Sequence, residues 1–319
     1  MNDNKLIKSP IFYMGNKFDI LHDILVQFPK EQEVDIFIDL FGGSGTISLN
    51  VPYKHVVYNE LNDNTFSLFK MLKDYSGEEI INHVRERERE FELPKETTDL
   101  RFVDKEKRDM ENEHYLSFRK FYNQQEEKNI LDLYTITFYS FCNIVRFNTK
   151  GEFNMPFGNR CFLPDIHGTQ IKEACQRIKS KNIGMTNVDA FEVLEHILTV
   201  DDGSVRRFIY LDPPYSNSVA IYNEKRAECG WNIDCDLKLF EYLDKLTQIG
   251  VKWCMSNVLE IKGKKNNHLE EWIKQKGYTL IHLSDKTYST CGTGNSNADE
   301  IIILNYEQRF KMFDIYDFM

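Results

Sequence analysis

The chain has 319 residues, of which 41% are hydrophobic and 13% aromatic, enough to bury one large core or two smaller ones. A formal net charge of −10 argues against a protein that coats nucleic acid indiscriminately, although a local basic surface is compatible with that sum. No window approaches ~18 consecutive apolar residues and the start MNDNKLIKSP lacks the apolar stretch of a signal peptide, so no membrane association and a cytoplasmic location are expected.

The seven cysteines are scattered, form no C-x-x-C pair and stand at no zinc-like spacing from the histidines. They read as reduced packing residues, and no metal site is expected.

The first strand-like run, VDIFIDLF (34–41), leads into a Gly-rich turn: FIDLFGGSGTISLN (37–50) reads as strand, turn and the opening of a helix. Gly42, Gly43 and Gly45 allow close approach of a ligand to the backbone, and a helix N-terminus presents unpaired N–H groups. GSGTIS half-matches the dinucleotide fingerprint but fails at its third glycine, where Ser48 stands. The second run, HVVYNE (55–60), ends on Glu60, an acid able to take both ribose hydroxyls of a nucleoside at the carboxyl edge of a sheet. Asp39 beside the glycines would repel a diphosphate and attract a cationic sulfonium. That charge favours S-adenosylmethionine over a nicotinamide dinucleotide.

Residues 62–180 are long, charged and helix-rich. RERERE (85–90) alternates in sign and reads as a solvated helix face. NEHYLSFRKFYNQQEEKNILDLYTITFYSF (112–141) reads as two consecutive helices. In CNIVRFNTKGEFNMPFGNR (142–160), Arg146 and Arg160 flank the turn signal TKGE, which reads as a hairpin. An arginine fork matches guanine O6 and N7, each such pair contributing about 1–3 kcal/mol of discrimination. Phe147 and Phe153 read as core aromatics, whereas Phe141 is open between core packing and a wedge beside a displaced base.

Strand-like runs resume at NIGMTNVDAF (182–191), where Asp189 is a candidate helix N-cap. They continue with RFIYLDPP (207–214), VKWCMSN (251–257), YTLIHL (278–283) and EIIILNY (300–306), with a helix over DLKLFEYLDKLTQ (236–248). The last two runs follow one another without a helix, so one is expected to enter antiparallel. Lysines of IKGKKNN (261–267) are candidate phosphate contacts or a solvated loop. The alternation predicts an α/β sheet with helices on both faces, formed by 1–61 and 181–319, with 62–180 inserted as a mainly helical domain.

In FIYLDPPYSNS (208–218), Pro213 and Pro214 lack the N–H that a central strand needs, so the strand must stop at Asp212. Taken together, FYMGNK (12–17), FIDLFGGSG (37–45), YNELN (58–62) and LDPPY (211–215) resemble the Dam-type DNA adenine-N6 methyltransferases in identity, order and spacing. FCNIVRFNTKGEFNMPFGNR (141–160) and MSNVLEIKGKKNNHLEEW (255–272) are similar to phage members of that family. The likeness covers most of the chain, leaving out about residues 85–112 and the C-terminal end. DPPY alone is shared with enzymes that methylate amino groups of RNA, cytosine or protein glutamine; the match in the insert selects DNA adenine. Glu60 stands where the family more often has Asp.

The resemblance implies a Rossmann-like S-adenosylmethionine-dependent methyltransferase sheet, mostly parallel with one antiparallel strand, and a target-recognition domain over 62–180. It implies that the Asp212 carboxylate and the Pro213 carbonyl accept from an adenine amine, that Pro214 stiffens the turn, and that Tyr215 stacks on a base flipped out of double-stranded DNA. Cofactor contacts are implied at Tyr13, Lys17, Asp39, Phe41, Gly42, Gly43, Ser44, Gly45, Glu60, Asp189, Ala190 and Asp212. DNA contacts are implied at Phe141, Asn143, Arg146, Pro156 and Arg160, at GATC or a related short palindrome. A cognate restriction endonuclease is a candidate partner, and oligomeric state is not legible. The competing readings are an amino-methyltransferase of RNA or protein glutamine, a nicotinamide-dependent oxidoreductase, and a non-catalytic DNA-binding module.

Overall fold

The computed structural model describes residues 5–96, 104–216, 230–261, 263–283, 287–289 and 295–307. In chain order its elements are α1 (Leu21–Leu25), β1 (Ile36–Asp39), α2 (Thr46–Asn50), β2 (His55–Asn59), α3 (Asp63–Asp74), α4 (Gly77–Glu90), α5 (Lys105–Gln124), α6 (Ile130–Thr137) and α7 (Thr169–Ser180). They continue with β3 (Asn182–Thr186), α8 (Ala190–Val200), β4 (Arg207–Leu211), α9 (Ile233–Gln248), β5 (Lys252–Ile261), β6 (Lys264–Lys265), α10 (Asn267–Lys276), β7 (Thr279–His282), β8 (Thr287–Ser289) and β9 (Asn295–Leu304). Two compact units result: a helical unit of Met1–Asn16, Gly43–Leu49 and Asp63–Lys181, and a sheet unit of Lys17–Gly42, Asn50–Asn62 and Asn182–Met319.

In the sheet unit the strand order is β3-β2-β1-β4-β5-β9-β7, with β6 paired to β5 and β8 to β9. β3, β2, β1, β4 and β5 run parallel. β9 is antiparallel to both β5 and β7, as the last two apolar runs imply. The ladder extends past the apolar runs on which β5 and β9 were read, through Val258↔Glu300, Glu260↔Asp299 and Ile261↔Ala298, because pairing satisfies backbone groups whether or not the side chains are apolar. Strand order reverses direction between β1 and β4, and the carboxyl ends of strands at such a point are the usual ligand position of an open α/β sheet.

Alternation along β4 sends neighbouring side chains to opposite faces. Phe208 and Tyr210 pack with Phe28, the Phe208 ring 4.8 Å from that of Phe28. Ile209 and Leu211 join a core that includes Ile38, Leu40, Leu194, Leu239, Leu243 and Trp253. With both faces covered, β4 reads as a continuous apolar run and the first polar residue after it is Asp212.

The helical unit contains the two helices expected over 112–141, as α5 and α6. RERERE keeps Arg85, Glu86, Arg89 and Glu90 exposed, as a solvated face should, and differs from that reading at Glu88 and Arg87. Glu88 is buried and accepts from the Tyr139 hydroxyl at 2.9 Å, while Arg87 donates to the buried Asp132 at 2.7 Å. Glu88 follows Val84 by one helical turn and so falls on the buried stripe; sign alternation does not track a 3.6-residue period. Burial raises the Glu88 pKa, partly offset by the Tyr139 hydrogen bond. Among the described residues no helix is long and apolar enough to cross a membrane.

Candidate active site

β4 ends at Leu211 because Pro213 and Pro214 cannot extend the ladder, which leaves Asp212 at the carboxyl edge of the sheet. Its side chain is 19% exposed and both of its oxygens are engaged. Lys17 Nζ lies 2.7 Å from Oδ2 and also donates to the Tyr215 hydroxyl at 2.9 Å. The Tyr215 hydroxyl and Ser256 Oγ donate to Oδ1 at 3.1 and 2.9 Å. With Ser256 Oγ donating to Asp212, the Tyr210 hydroxyl, 2.8 Å away, must donate to Ser256. Burial alone would lower the Lys17 pKa; the charge of Asp212, helped by Tyr210 and Glu300, overrides it and holds the ammonium well above the ordinary lysine range. Burial, then the Asp212 charge, pushes the Tyr210 phenol far up, so it stays a proton donor.

The neighbouring strand ends are tied together by Asn59, which is 1% exposed. Its Nδ2 donates to the carbonyls of Leu40 and Val188, and its Oδ1 accepts from Thr186 Oγ1 at 2.8 Å. Gly42 donates its N–H to the Asn59 carbonyl at 2.7 Å, and a Cβ there would fall 2.2 Å from the Tyr58 ring, so no other residue fits that approach. Asp39 ends β1 fully buried, and Phe41 is half-buried. Glu60 follows β2, 7% exposed, with Oε1 accepting from the Asn62 N–H at 2.7 Å. Asp189 is the N-cap of α8, Oδ1 accepting from the Phe191 N–H at 2.8 Å, and Ala190 behind it is buried.

In the helical unit, Tyr13 and the remainder of the Gly-rich turn come together. Gly43 has φ +50, and a Cβ on it would lie 2.9 Å from the Tyr13 ring. Ser44 Oγ is 2.9 Å from Thr46 Oγ1, Thr46 donates to Asn16 Oδ1 at 3.2 Å, and Ser9 Oγ donates to the Ser44 carbonyl at 2.5 Å. Gly45, also at positive φ, faces the Phe69 ring.

The expected hairpin is present in the same unit. Phe147 bridges Phe153 and Ser140 bridges Phe157 in antiparallel register, and Gly151 N–H closes the turn on Asn148 at 2.9 Å. Phe153 is buried and Phe147 packs edge-on against it at 5.8 Å, as core aromatics should. Phe141 instead is 47% exposed, on a backbone where Cys142 and Asn143 both have positive φ. Arg146 is exposed, its Nε donating to Asn154 Oδ1 at 2.9 Å; Arg160 is exposed and donates to Asn143 Oδ1 at 2.9 Å; Pro156 is exposed. Asn143 is 3% exposed, its Nδ2 donating to the Thr137 carbonyl at 2.8 Å and its Oδ1 accepting from Arg160. Lys264 and Lys265 form the exposed strand β6 of the sheet unit, and Lys262 lies outside the described residues.

Sequence reading missed Ser256, Asn59, Asn16 and Thr46. A signal existed for Asn59 and Ser256, each a polar residue inside an apolar strand, where a buried polar group demands a partner. Asn16 and Thr46 carry no such mark.

The family model of the D12 class N6 adenine-specific DNA methyltransferase matches residues 13–289. Modification methylase StsI of Streptococcus sanguinis is 31% identical over 309 residues, which cover 96% of this chain and 44% of that protein. Type II methyltransferase M.FokI of Planomicrobium okeanokoites is 30% identical over 318 residues, covering 95% of this chain and 43% of that protein. The chain therefore spans less than half the length of these two relatives. DNA adenine methylase of Escherichia coli K12 is 25% identical over 302 residues, covering 92% of this chain and 93% of that protein.

Proposed function

Because the chain belongs to the D12 class N6 adenine-specific DNA methyltransferases, we propose that it transfers a methyl group from S-adenosylmethionine to the N6 amine of an adenine flipped out of duplex DNA. We assign the recognition role to residues 62–180, the catalytic role to 1–61 and 181–319, and the target to GATC or a related short palindrome. The StsI and M.FokI names suggest a restriction-modification context, with a cognate endonuclease as partner.

The observation that carries the reading is the state of Asp212. A carboxylate offers about four acceptor positions. Lys17, Tyr215 and Ser256 take three, and the remaining one is on Oδ2. There Asp212 would accept one hydrogen of the adenine amine while the Pro213 carbonyl accepts the other, drawing the nitrogen toward tetrahedral geometry and freeing its lone pair. Pro213 and Pro214 fix the backbone that aims these acceptors, and the Tyr215 ring would stack on the base. Asp212 would act as an acceptor, with the Lys17 ammonium 2.7 Å from its Oδ2.

S-adenosylmethionine would supply an electrophilic methyl group on a sulfonium. Its contacts are assigned to Tyr13, Lys17, Asp39, Phe41, Gly42, Gly43, Ser44, Gly45, Glu60, Asp189, Ala190 and Asp212. The residues suit it: Asp39 brings a carboxyl group to the end of β1, where a cationic sulfonium would be attracted, and Gly42 leaves backbone bare at a strand end. In the hairpin, Phe141 would act as wedge, Arg146 and Arg160 would read base edges or backbone, and Pro156 would meet a thymine methyl.

Sequencing of methylated DNA after incubation with the chain and labelled S-adenosylmethionine tests this, with RNA and protein as parallel substrates. N6-methyladenine at one short duplex sequence is expected; label in RNA or protein with none in DNA would overturn the reading.

A further inference from the structure

The Asp212–Tyr215 turn has an unusual mechanical problem. Pro213 and Pro214 provide no N–H, so these two residues cannot hold the turn by donating backbone hydrogen bonds. It has to be fixed from outside, at its two ends. The front end is Asp212, tied to Ser256 of β5. The back end is Ser216, the residue after Tyr215, whose Oγ donates to Oδ2 of Asp236.

Asp236 lies in the first turn of α9 and is 2% exposed. It joins three separate parts of the sheet unit. Besides Ser216, Oδ2 accepts from His268 Nε2 of α10 at 2.7 Å, and Oδ1 accepts from the indole Nε1 of Trp231 at 2.6 Å. The Trp231 ring in turn meets Phe41 edge-on at 5.5 Å and lies nearly parallel to Phe191 at 6.1 Å. Phe41 is two residues past the end of β1, and Phe191 is the second residue of α8. One buried carboxylate thus connects the end of the DPPY turn to the aromatic side chains that follow β1 and open α8. Hydrogen bonds to a charged acceptor are stronger and more directional than neutral ones, which suits a group that must set an orientation. A helix needs no buried carboxylate with three side-chain donors to form; acid in a first turn is satisfied equally well by solvent.

We propose that Asp236 is a positioning residue for methyl transfer, acting through Ser216 to hold the Asp212–Tyr215 turn in its productive orientation. The proposal rests on the methyl-transfer reading above. Asp236 touches neither the base nor the methyl donor in this scheme; it fixes where Pro213, Pro214 and Tyr215 point.

The test uses the full chain carrying Ser216→Ala, Asp236→Asn or both, assayed for methyl transfer to duplex DNA with kcat separated from the KM for DNA and for S-adenosylmethionine. Misplacement of an aligned group appears in kcat, so each single substitution should lower kcat about tenfold and leave both KM values within about twofold. Because the two residues act through one hydrogen bond, the double variant should be no worse than Asp236→Asn. Amide hydrogen exchange at Tyr215 and Ser216 should quicken in all three variants. Unchanged kcat in Ser216→Ala, multiplied losses in the double variant, or a loss confined to KM would each overturn the proposal. If Asp236→Asn does not fold, Ser216→Ala decides alone, since it removes one hydroxyl from a half-buried position. If the wild-type chain methylates nothing, the functional reading fails, and the exchange comparison still decides whether Asp236 holds the turn.

Discussion

At the end of β4, the Asp212 carboxylate takes hydrogen bonds from Lys17, Tyr215 and Ser256. In the hairpin of residues 141–160, Arg146 and Arg160 stand exposed, each held by an asparagine. The first arrangement is stiff, because moving any one group strands a buried charge or a buried hydroxyl. The second leaves its charged groups exposed, each guanidinium held by hydrogen bonds to one asparagine. Chemistry on a weak nucleophile calls for acceptors that do not move, whereas reading a sequence calls for side chains that can reach. The proposed roles would call for that contrast between the two regions, one at the end of a parallel strand and the other on a hairpin with aromatic packing.

The comparison breaks most sharply at Asp212. Asp212→Ala should lower methyl transfer on the order of a thousandfold, while binding to duplex DNA in a gel-shift titration changes little. Loss of DNA binding in parallel with activity would mean that the two regions are not separable, and the division of labour would fall.

Arg146→Ala is the corresponding cut in the hairpin. Removing one bidentate base contact should weaken binding to the preferred sequence by about 1–3 kcal/mol and broaden the set of sites methylated, with kcat at saturating DNA nearly intact. Methylation-site sequencing of the variant reads this directly; an unchanged site would leave Arg146 as a backbone contact.

The double substitution of Lys264 and Lys265 by Ala is the smaller, sequence-blind counterpart in the sheet unit. If both lysines lie on phosphates, the slope of log affinity against log salt should fall by about 2, equally for cognate and unrelated DNA. An unaltered slope would return β6 to an ordinary solvated hairpin.

These differences also explain what could be read in the chain. Strand-ending prolines, a glycine that must approach a neighbour and an acid after an apolar run leave marks in sequence because each breaks a local pattern. The end of β4 before the prolines and the close approach at Gly42 were therefore legible, as were the parallel strands and the antiparallel entry of β9. Asp236 became visible only as a partner; Ser256 and Asn59, although marked as polar residues in apolar strands, take their roles from groups 44 and 19 residues away, as Asp236 does from one 20 residues away. Asn143 fell between: asparagine tolerates the left-handed backbone found there, but its burial against the Thr137 carbonyl depends on packing that the motif does not announce.

The smallest predicted effect concerns the packing behind the hairpin. His167 lies among the rings of Phe12, Phe138 and Phe162, with centroids 5.9, 5.0 and 5.7 Å away, and its Nδ1 accepts from the Leu163 N–H at 2.9 Å. Burial, with a minor contribution from Lys8, pushes its pKa down to about 4. A histidine depressed in the folded state binds fewer protons there than in the unfolded chain between about pH 4 and the ordinary value of about 6.5. Its contribution to stability is therefore complete above about pH 6.5 and is lost as the pH falls toward 4, amounting to about 1–2 kcal/mol once the half-buried position of the ring is allowed for. His167→Phe keeps an aromatic ring in place and removes the titration. Denaturant unfolding of wild type and variant at pH 7 and pH 4.5 should show wild type losing more stability across that interval, by the same 1–2 kcal/mol. Parallel losses would mean that the ring is solvated enough to titrate normally, and that the aromatic packing around His167 is looser than the buried charge network at the end of β4.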